Sequence, residues 1–324
     1  MKNKKKILIC GGTGFIGKNL LFYFSKQKNF KVFATYNIQE RIKIENVTWI
    51  KVDLTNQNEV DNIIKNKEIV IQAAATTSGA KDIVNTPEIH VSDNAIMNSI
   101  IIRSCYKFKI KHFIFFSCTV MYPHSKKYLN EKSIENNNKI SEKYFGIGYT
   151  KLYIEKVCEF FSKISNTKFT CIRHSNIYGP HDKFDLNKGH FFASNLFKIL
   201  VNQNKQISIW GKGSEMRDLL YISDLINFVD KVLKNQKKKF GLYNCTYGKS
   251  YKIIDIIKKM IAISGQKIKI TKDLSKPTIP INILVNSSKA KKELMWKPKV
   301  SLEEGIKKTI KWFLKNKSKK LKYN

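Results

Sequence analysis

Three glycines in the run Gly11-Gly12-Thr13-Gly14-Phe15-Ile16-Gly17 stand at the spacing that a phosphate-binding turn requires. Gly11 makes the tight turn, Gly14 admits a pyrophosphate against bare backbone, and Gly17 lets the next helix pack on its strand with its N-terminus toward the phosphates. The apolar KKILIC before the run and the helically spaced KNLLFYFSKQ after it supply the strand and helix that the motif needs, so the turn reads as a dinucleotide site. At the end of the following strand, Ala34-Thr35-Tyr36-Asn37 contains nothing acidic. NADP is therefore not repelled, and Arg41 is either a phosphate contact or a plain surface arginine, so NAD and NADP both stay open. Asp53, closing VTWIKVDL, either hydrogen-bonds an adenine amino group or caps the next helix.

Elements must hold these groups, and their order is legible. Apolar strands alternate with helical segments through KVFATY, VTWIKVDL, NEVDNIIKN, EIVIQAAA, DNAIMNSIIIRSCYKF, KHFIFFSC, TKLYIEKVCEFFSKIS and KFTCIRHSNIYG. That alternation predicts an α/β fold, a Rossmann-type doubly wound parallel sheet with its ligand crevice at the carboxyl ends of the strands. After Pro180 the rhythm breaks into an amphipathic FFASNLFKILVNQ, a glycine-punctuated WGKGSEMRDLLYISDL and a helical GIKKTIKWFLKN, read as a smaller α+β substrate lobe. Residues 1–180 are expected to bind the dinucleotide and 181–324 mainly the substrate, across a soft boundary where segments can interleave.

The 324 residues, 42% hydrophobic, suffice for a full core. No run approaches the roughly 18 to 20 apolar residues of a membrane span, and the basic start leads into a stretch too short and glycine-rich for a signal-peptide core, so no membrane span and a cytoplasmic location are expected. The six cysteines are scattered without a C-x-x-C pair, indicating neither a metal site nor a disulfide framework. The net charge of +35 raises nucleic acid as a partner, but only four of the 60 basic residues are arginine and the lysines are spread along the chain. That distribution fits a compositional bias better than a binding stripe, and no nucleic-acid partner is expected.

GGTGFIG, VDLT, IQAAA, FFSCTVMYP, the YTK helix, RHSNIYGP, EMRDLLYISDL and ELMWKPKVSLEEGI follow one another in an order that resembles the extended short-chain dehydrogenase/reductase family, the NAD-dependent epimerase/dehydratases of nucleotide sugars. The GDP-L-fucose synthase branch is the most similar, because His190 lies ten residues after Pro180 of YGP. The resemblance implies an NAD(P)-dependent enzyme transferring hydride at C4 of a GDP-sugar for a surface-polysaccharide precursor, with a nucleotide-sugar substrate and a homodimer or higher homo-oligomer. A C4 dehydrogenase or 4-epimerase with tightly bound NAD, or a non-catalytic dinucleotide sensor, stands as the alternative. Cofactor contacts are implied at Gly11, Gly14, Phe15, Ile16, Gly17, Asp53, Leu54, Ala73 and Lys151.

The resemblance also implies a Tyr-x-x-x-Lys pair, in which the lysine lowers the phenol pKa and holds the nicotinamide ribose. Lys151 matches the lysine, but Ile147 stands where the tyrosine is expected. On a helix, Tyr149 faces away from Lys151, whereas Tyr144 returns to nearly the same face about 10 Å along the axis, which makes Tyr144 the candidate proton carrier. The family's Ser or Thr four residues before the tyrosine of FFSCTVMYP falls on Cys118, with Thr119 beside it as the better hydrogen-bond donor. The branch's epimerising cysteine position holds Val120, leaving His190 as half of an acid/base pair. His124 and His174 are lesser candidates. Asn176 is implied as a substrate contact, and Arg217, one of so few arginines, as a bidentate clamp on the diphosphate.

Overall fold

The computed structural model describes residues 4–76, 86–134, 140–186, 189–201, 205–276, 278 and 282–316. Most of the basic tail after Lys315 lies outside them. Seven strands form the main sheet: β1 (Lys5–Cys10), β2 (Phe30–Tyr36), β3 (Val47–Lys51), β4 (Ile69–Gln72), β5 (His112–Cys118), β6 (Lys168–His174) and β10 (Phe240–Cys245). Their order is β3-β2-β1-β4-β5-β6-β10, with every neighbouring pair parallel. The chain therefore leaves β1 in one direction and resumes at β4 in the other, which opens a crevice between the carboxyl ends of β1 and β4.

Alternate residues of each strand feed two apolar layers, as strand geometry dictates. Leu8, Cys10, Val70, Phe113 and Phe115 pack under α2 (Gln57–Ile64), α3 (Ser92–Lys107) and α4 (Phe145–Ile164). Ile7, Ile9, Val32, Ile71, Ile114 and Ile172 face α1 (Phe15–Phe24) and α6 (Ile222–Asn235). Both layers are buried, so the strands read as nearly unbroken apolar runs.

The remaining elements build the lobe. β7 (Asn176–Tyr178), β9 (Met216–Tyr221) and β11 (Ser250–Lys252) make one small sheet in the order β11-β9-β7, and β8 (Gln206–Trp210) pairs in parallel with β12 (Lys269–Asp273). Around them lie α5 (Phe191–Val201), α7 (Ile253–Ser264), α8 (Ser288–Leu294) and α9 (Leu302–Lys315). Both β10, which completes the main sheet, and α6, which packs on it, come from beyond residue 180, so the two halves of the sequence interleave in space. The C-terminal motif is a clasp on α6: Trp296, 1% exposed, donates its indole N–H to the Asp224 carbonyl, and the Asp224 carboxylate accepts from the amides of Lys299 and Val300 at 3.0 Å each.

Candidate active site

The loop after β1 is tied to β2 through Thr35, whose hydroxyl accepts from the Gly11 amide at 2.9 Å and whose carbonyl accepts from the Gly12 amide at 2.9 Å. Gly11 has φ +78°, and a Cβ there would press within 2.6 Å of the Ala74 backbone. A Cβ on Gly17 would strike the Gly11 carbonyl. Gly14 differs: its φ is −76°, and a Cβ would meet only the Gly11 oxygen, at 3.4 Å. Nothing in the chain demands glycine there, whereas a ligand lying on the backbone does. Gly14 also occupies the N-cap of α1 without a capping side chain, and no acidic residue enters the first turn, leaving amides available to an anion. These features fit the dinucleotide that the spacing predicts.

Phe15 and Ile16 are half-buried against the core, Leu54 is buried, and Ala73 is bonded through its amide to the Cys10 carbonyl beside the loop. The Arg41 guanidinium lies over the Tyr36 ring, 5.8 Å from its centroid. Asp53 is exposed, and the Thr55 hydroxyl and then the Thr55 amide hold its carboxyl below the usual range. It does not cap α2: Asn56 does so, accepting from the amides of Asn58 and Glu59.

Across the crevice, β5 delivers Cys118 and α4 delivers Lys151. The Lys151 ammonium donates to the Phe116 carbonyl at 2.8 Å and sits 4.6 Å over the Phe115 ring. Burial draws it below the ordinary lysine value, opposed by Cys118, Glu155 and Cys171. Burial pushes the Cys118 thiol up, so it stays protonated at neutral pH despite the nearby Lys151 charge. Thr119, partly exposed, anchors its amide on the His174 carbonyl at 3.1 Å. Ile147 lies one turn before Lys151 on α4.

Tyr144 is not on the body of α4. It ends a short 3₁₀ turn, Glu142–Tyr144, and occupies the helix N-cap, so the helical projection does not apply to it. It nevertheless faces the same crevice: burial raises its phenol, with Arg217 opposing that shift and Cys118 adding to it, which puts both within electrostatic reach. Tyr149 is exposed, its ring 4.8 Å from that of Phe145 and away from the site.

His190 precedes α5, and its carbonyl accepts from the Ser194 amide at 3.0 Å. Its side chain is open to solvent yet walled by protein; that enclosure, then Lys183 and His90, holds the imidazole below its ordinary value. His174, at the end of β6, is driven down to about 4 chiefly by burial, with Lys151 and His190 contributing, so Lys151 and the two imidazoles share one neighbourhood. Asn176 donates to the Asp218 carbonyl at 3.0 Å. Arg217 donates to the Met216 carbonyl at 2.8 Å, on a strand held by Asp218, whose buried carboxylate accepts from the amides of Tyr247, Gly248 and Lys249. His124 stands apart: its Nδ1 accepts from the Asn282 amide at 3.1 Å, a structural use.

The fold thus gathers Cys118, Thr119, Tyr144, Lys151, His174, His190 and Arg217 beside the carboxyl ends of β5 and β6. Sequence reasoning passed over Glu155 and Arg173, a buried ion pair beneath these residues at 2.6 Å. The signal was present: Glu155 lies four residues after Lys151, and Arg173 is an arginine one residue before the end of an otherwise apolar strand.

The family described as NAD dependent epimerase/dehydratase matches residues 7–246. Relatives include a GDP-L-colitose synthase from Yersinia pseudotuberculosis, 26% identical over 97% of this chain and 99% of its own. A GDP-L-fucose synthase from Sinorhizobium fredii is 29% identical over 96% of both. Among solved structures, UDP-glucose 4-epimerase from Thermotoga maritima with UDP-glucose superposes with TM-score 0.85 at 24% identity, covering 96% of this chain and 99% of that one. UDP-glucuronic acid 4-epimerase from Bacillus cereus, in complex with UDP-glucuronic acid and NAD, gives 0.82 at 23% identity, over 96% and 99%.

Proposed function

We propose a function from one premise: the chain belongs to the NAD dependent epimerase/dehydratase family. It is an NAD(P)-dependent enzyme, and we infer that it transfers hydride at C4 of a GDP-sugar, serving synthesis of a surface-polysaccharide precursor. The carrying observation is that the open backbone at Gly14, where a Cβ would meet only the Gly11 oxygen, and the cluster of Lys151, Tyr144, His190 and Arg217 lie at the same carboxyl edge of one parallel sheet. The GDP-L-colitose and GDP-L-fucose synthases among the relatives support the choice of a GDP-sugar.

Gly11, Gly14, Phe15, Ile16, Gly17, Asp53, Leu54, Ala73 and Lys151 would hold the dinucleotide, which when bound supplies or accepts the hydride. Lys151 positions the ribose and places positive charge beside the reacting oxygen. Tyr144, whose phenol is raised and hence protonated, donates a proton to that oxygen, and Thr119 adds a hydroxyl donor, with the Cys118 thiol as a weak third. His190, neutral at physiological pH, takes a proton from carbon beside a ketone. Arg217 grips the diphosphate with its planar fork, and Asn176 orients the sugar.

A second reading, a C4 dehydrogenase or 4-epimerase that retains its nicotinamide, draws on Ile147 one turn before Lys151. The working unit is proposed to be a homodimer or higher homo-oligomer formed through the outer faces of α3 and α4.

Single-turnover hydride transfer to a GDP-4-keto-6-deoxy sugar tests the assignment. Lys151→Met is expected to abolish transfer, and Tyr144→Phe and His190→Asn to slow it by about 10²- to 10⁴-fold each. A nicotinamide that copurifies and cycles without net consumption selects the second reading. If none of the three variants alters turnover, the catalytic reading falls and a dinucleotide sensor replaces it.

A further inference from the structure

Beneath the reactive cluster lies a polar layer that the chemistry above does not use. Glu155, 3% exposed, follows Lys151 by one turn on α4. Its Oε1 accepts from the Ser117 hydroxyl at 2.6 Å and from Arg173 Nε at 3.0 Å, and its Oε2 accepts from Arg173 Nη2 at 2.6 Å. Ser117 and Arg173 are partners in the β5/β6 register, and the next pair in that register is Cys118 and His174. One carboxylate therefore ties α4 to both strands at the level immediately below the site. Arg173 extends the layer through the Tyr122 hydroxyl at 2.9 Å and the Glu131 carbonyl at 3.0 Å; Tyr122 in turn donates to Asn244 on β10 at 2.7 Å.

The groups bearing on Lys151 are Cys118 from β5, Cys171 and His174 from β6, and Glu155 from its own helix. Burial pushes both thiols up and the His174 imidazole down, so all three are neutral at physiological pH. Glu155, ion-paired with Arg173, is the carboxylate among them. One turn before Lys151 the helix carries isoleucine, which supplies no charge.

We propose that Glu155, clamped by Arg173, is the positioning residue of this site: by tying α4 to β5 and β6 one turn past Lys151, it holds the Lys151 ammonium at the Phe116 carbonyl with a carboxylate at its back. The inference rests on the proposed function only for the use made of that ammonium. The charge state itself is measured without turnover.

The experiment follows the pH dependence of acylation of Lys151 in the full chain, read by peptide mass spectrometry with exposed lysines of the same chain as reference. In the parent, the Lys151 midpoint is expected below that of the exposed reference lysines, because burial lowers it. Glu155→Gln is expected to lower the midpoint by about one pH unit or more, and Glu155→Asp to restore most of the difference. Glu155→Gln strands a buried guanidinium, so Glu155→Leu with Arg173→Met is made alongside, removing both charges at similar volume. The double variant loses the neighbouring cation together with the carboxylate, so its midpoint is expected to fall, but by less than that of Glu155→Gln. An unchanged midpoint in either folded variant overturns the proposal, since a purely structural pair would alter stability and leave the titration of Lys151 in place. If acylation shifts as expected while no nucleotide-sugar turnover is found, the functional reading fails and this one stands.

Discussion

Glycines that look equivalent in the sequence do different work. Gly11 needs a positive φ and sits against the Ala74 backbone, Gly17 touches the Gly11 carbonyl, and Gly14 needs neither. Gly14→Val is therefore expected to fold with near-parental thermal stability and to lose dinucleotide affinity by about tenfold or more, because the branched side chain occupies the phosphate's approach. Calorimetric titration with NAD(P)H checks it; undiminished affinity in the folded variant would sink the cradle assignment. Gly17→Val, by contrast, is expected to fail in folding. The fingerprint was legible as a pattern of residue types, but which glycine serves the chain and which serves the ligand depends on what approaches each Cα from β4 and from the loop itself.

Strand β5 begins at His112 and ends at Cys118, and both ends carry a titration consequence. His112 is 6% exposed, and its Nε2 lies 2.8 Å from the Thr170 hydroxyl. That hydroxyl donates to Gln236 Oε1 at 2.5 Å, so the ring is the donor to Thr170. Burial, helped by the Lys168 charge, pushes the imidazole from 6.5 down to about 3. A folded value below the unfolded one means that the unfolded chain takes up the proton first. The stability contribution is thus whole above pH 6.5 and is lost as pH falls toward 3. At pH 5 this amounts to about 2 kcal/mol. Urea unfolding at pH 7.5 and pH 5 is expected to show a drop larger by that amount in the parent than in His112→Gln; equal drops would remove His112 as the cause. The alternation of apolar strands and helices was readable because each element's period is local. Tyr144's place was not, since a 3₁₀ turn at the start of α4 displaces it from the helix that the spacing projects.

At the scale of the molecule, α3 and α4 pack side by side and turn Ile96, Tyr106, Tyr153, Phe160 and Ile164 outward, each between 41% and 55% exposed. Charges at the edge are already paired, Glu159 taking Lys156 at 3.0 Å and Lys163 at 3.2 Å. The proposed two-fold pairing of this chain would cover this apolar face. Light scattering is expected to give twice the 37.7 kDa of one chain, and Tyr153→Glu with Phe160→Glu to give the single mass; a parent of single mass refutes the pairing. Among the described residues no helix is long and apolar enough to cross a membrane. By itself the sequence determined the order of strands and helices, the phosphate-binding turn and the helix that bears Lys151, because these depend on residue type and short-range period. Only the tertiary structure decided that β10 returns to the main sheet from beyond residue 180. It also decided that Asp53 leaves the capping of α2 to Asn56, that Tyr144 comes within electrostatic reach of Arg217, and that Glu155 and Arg173 meet beneath Lys151. Those outcomes join residues far apart in the chain, and burial then sets their charge states, a quantity that no local pattern of residues contains.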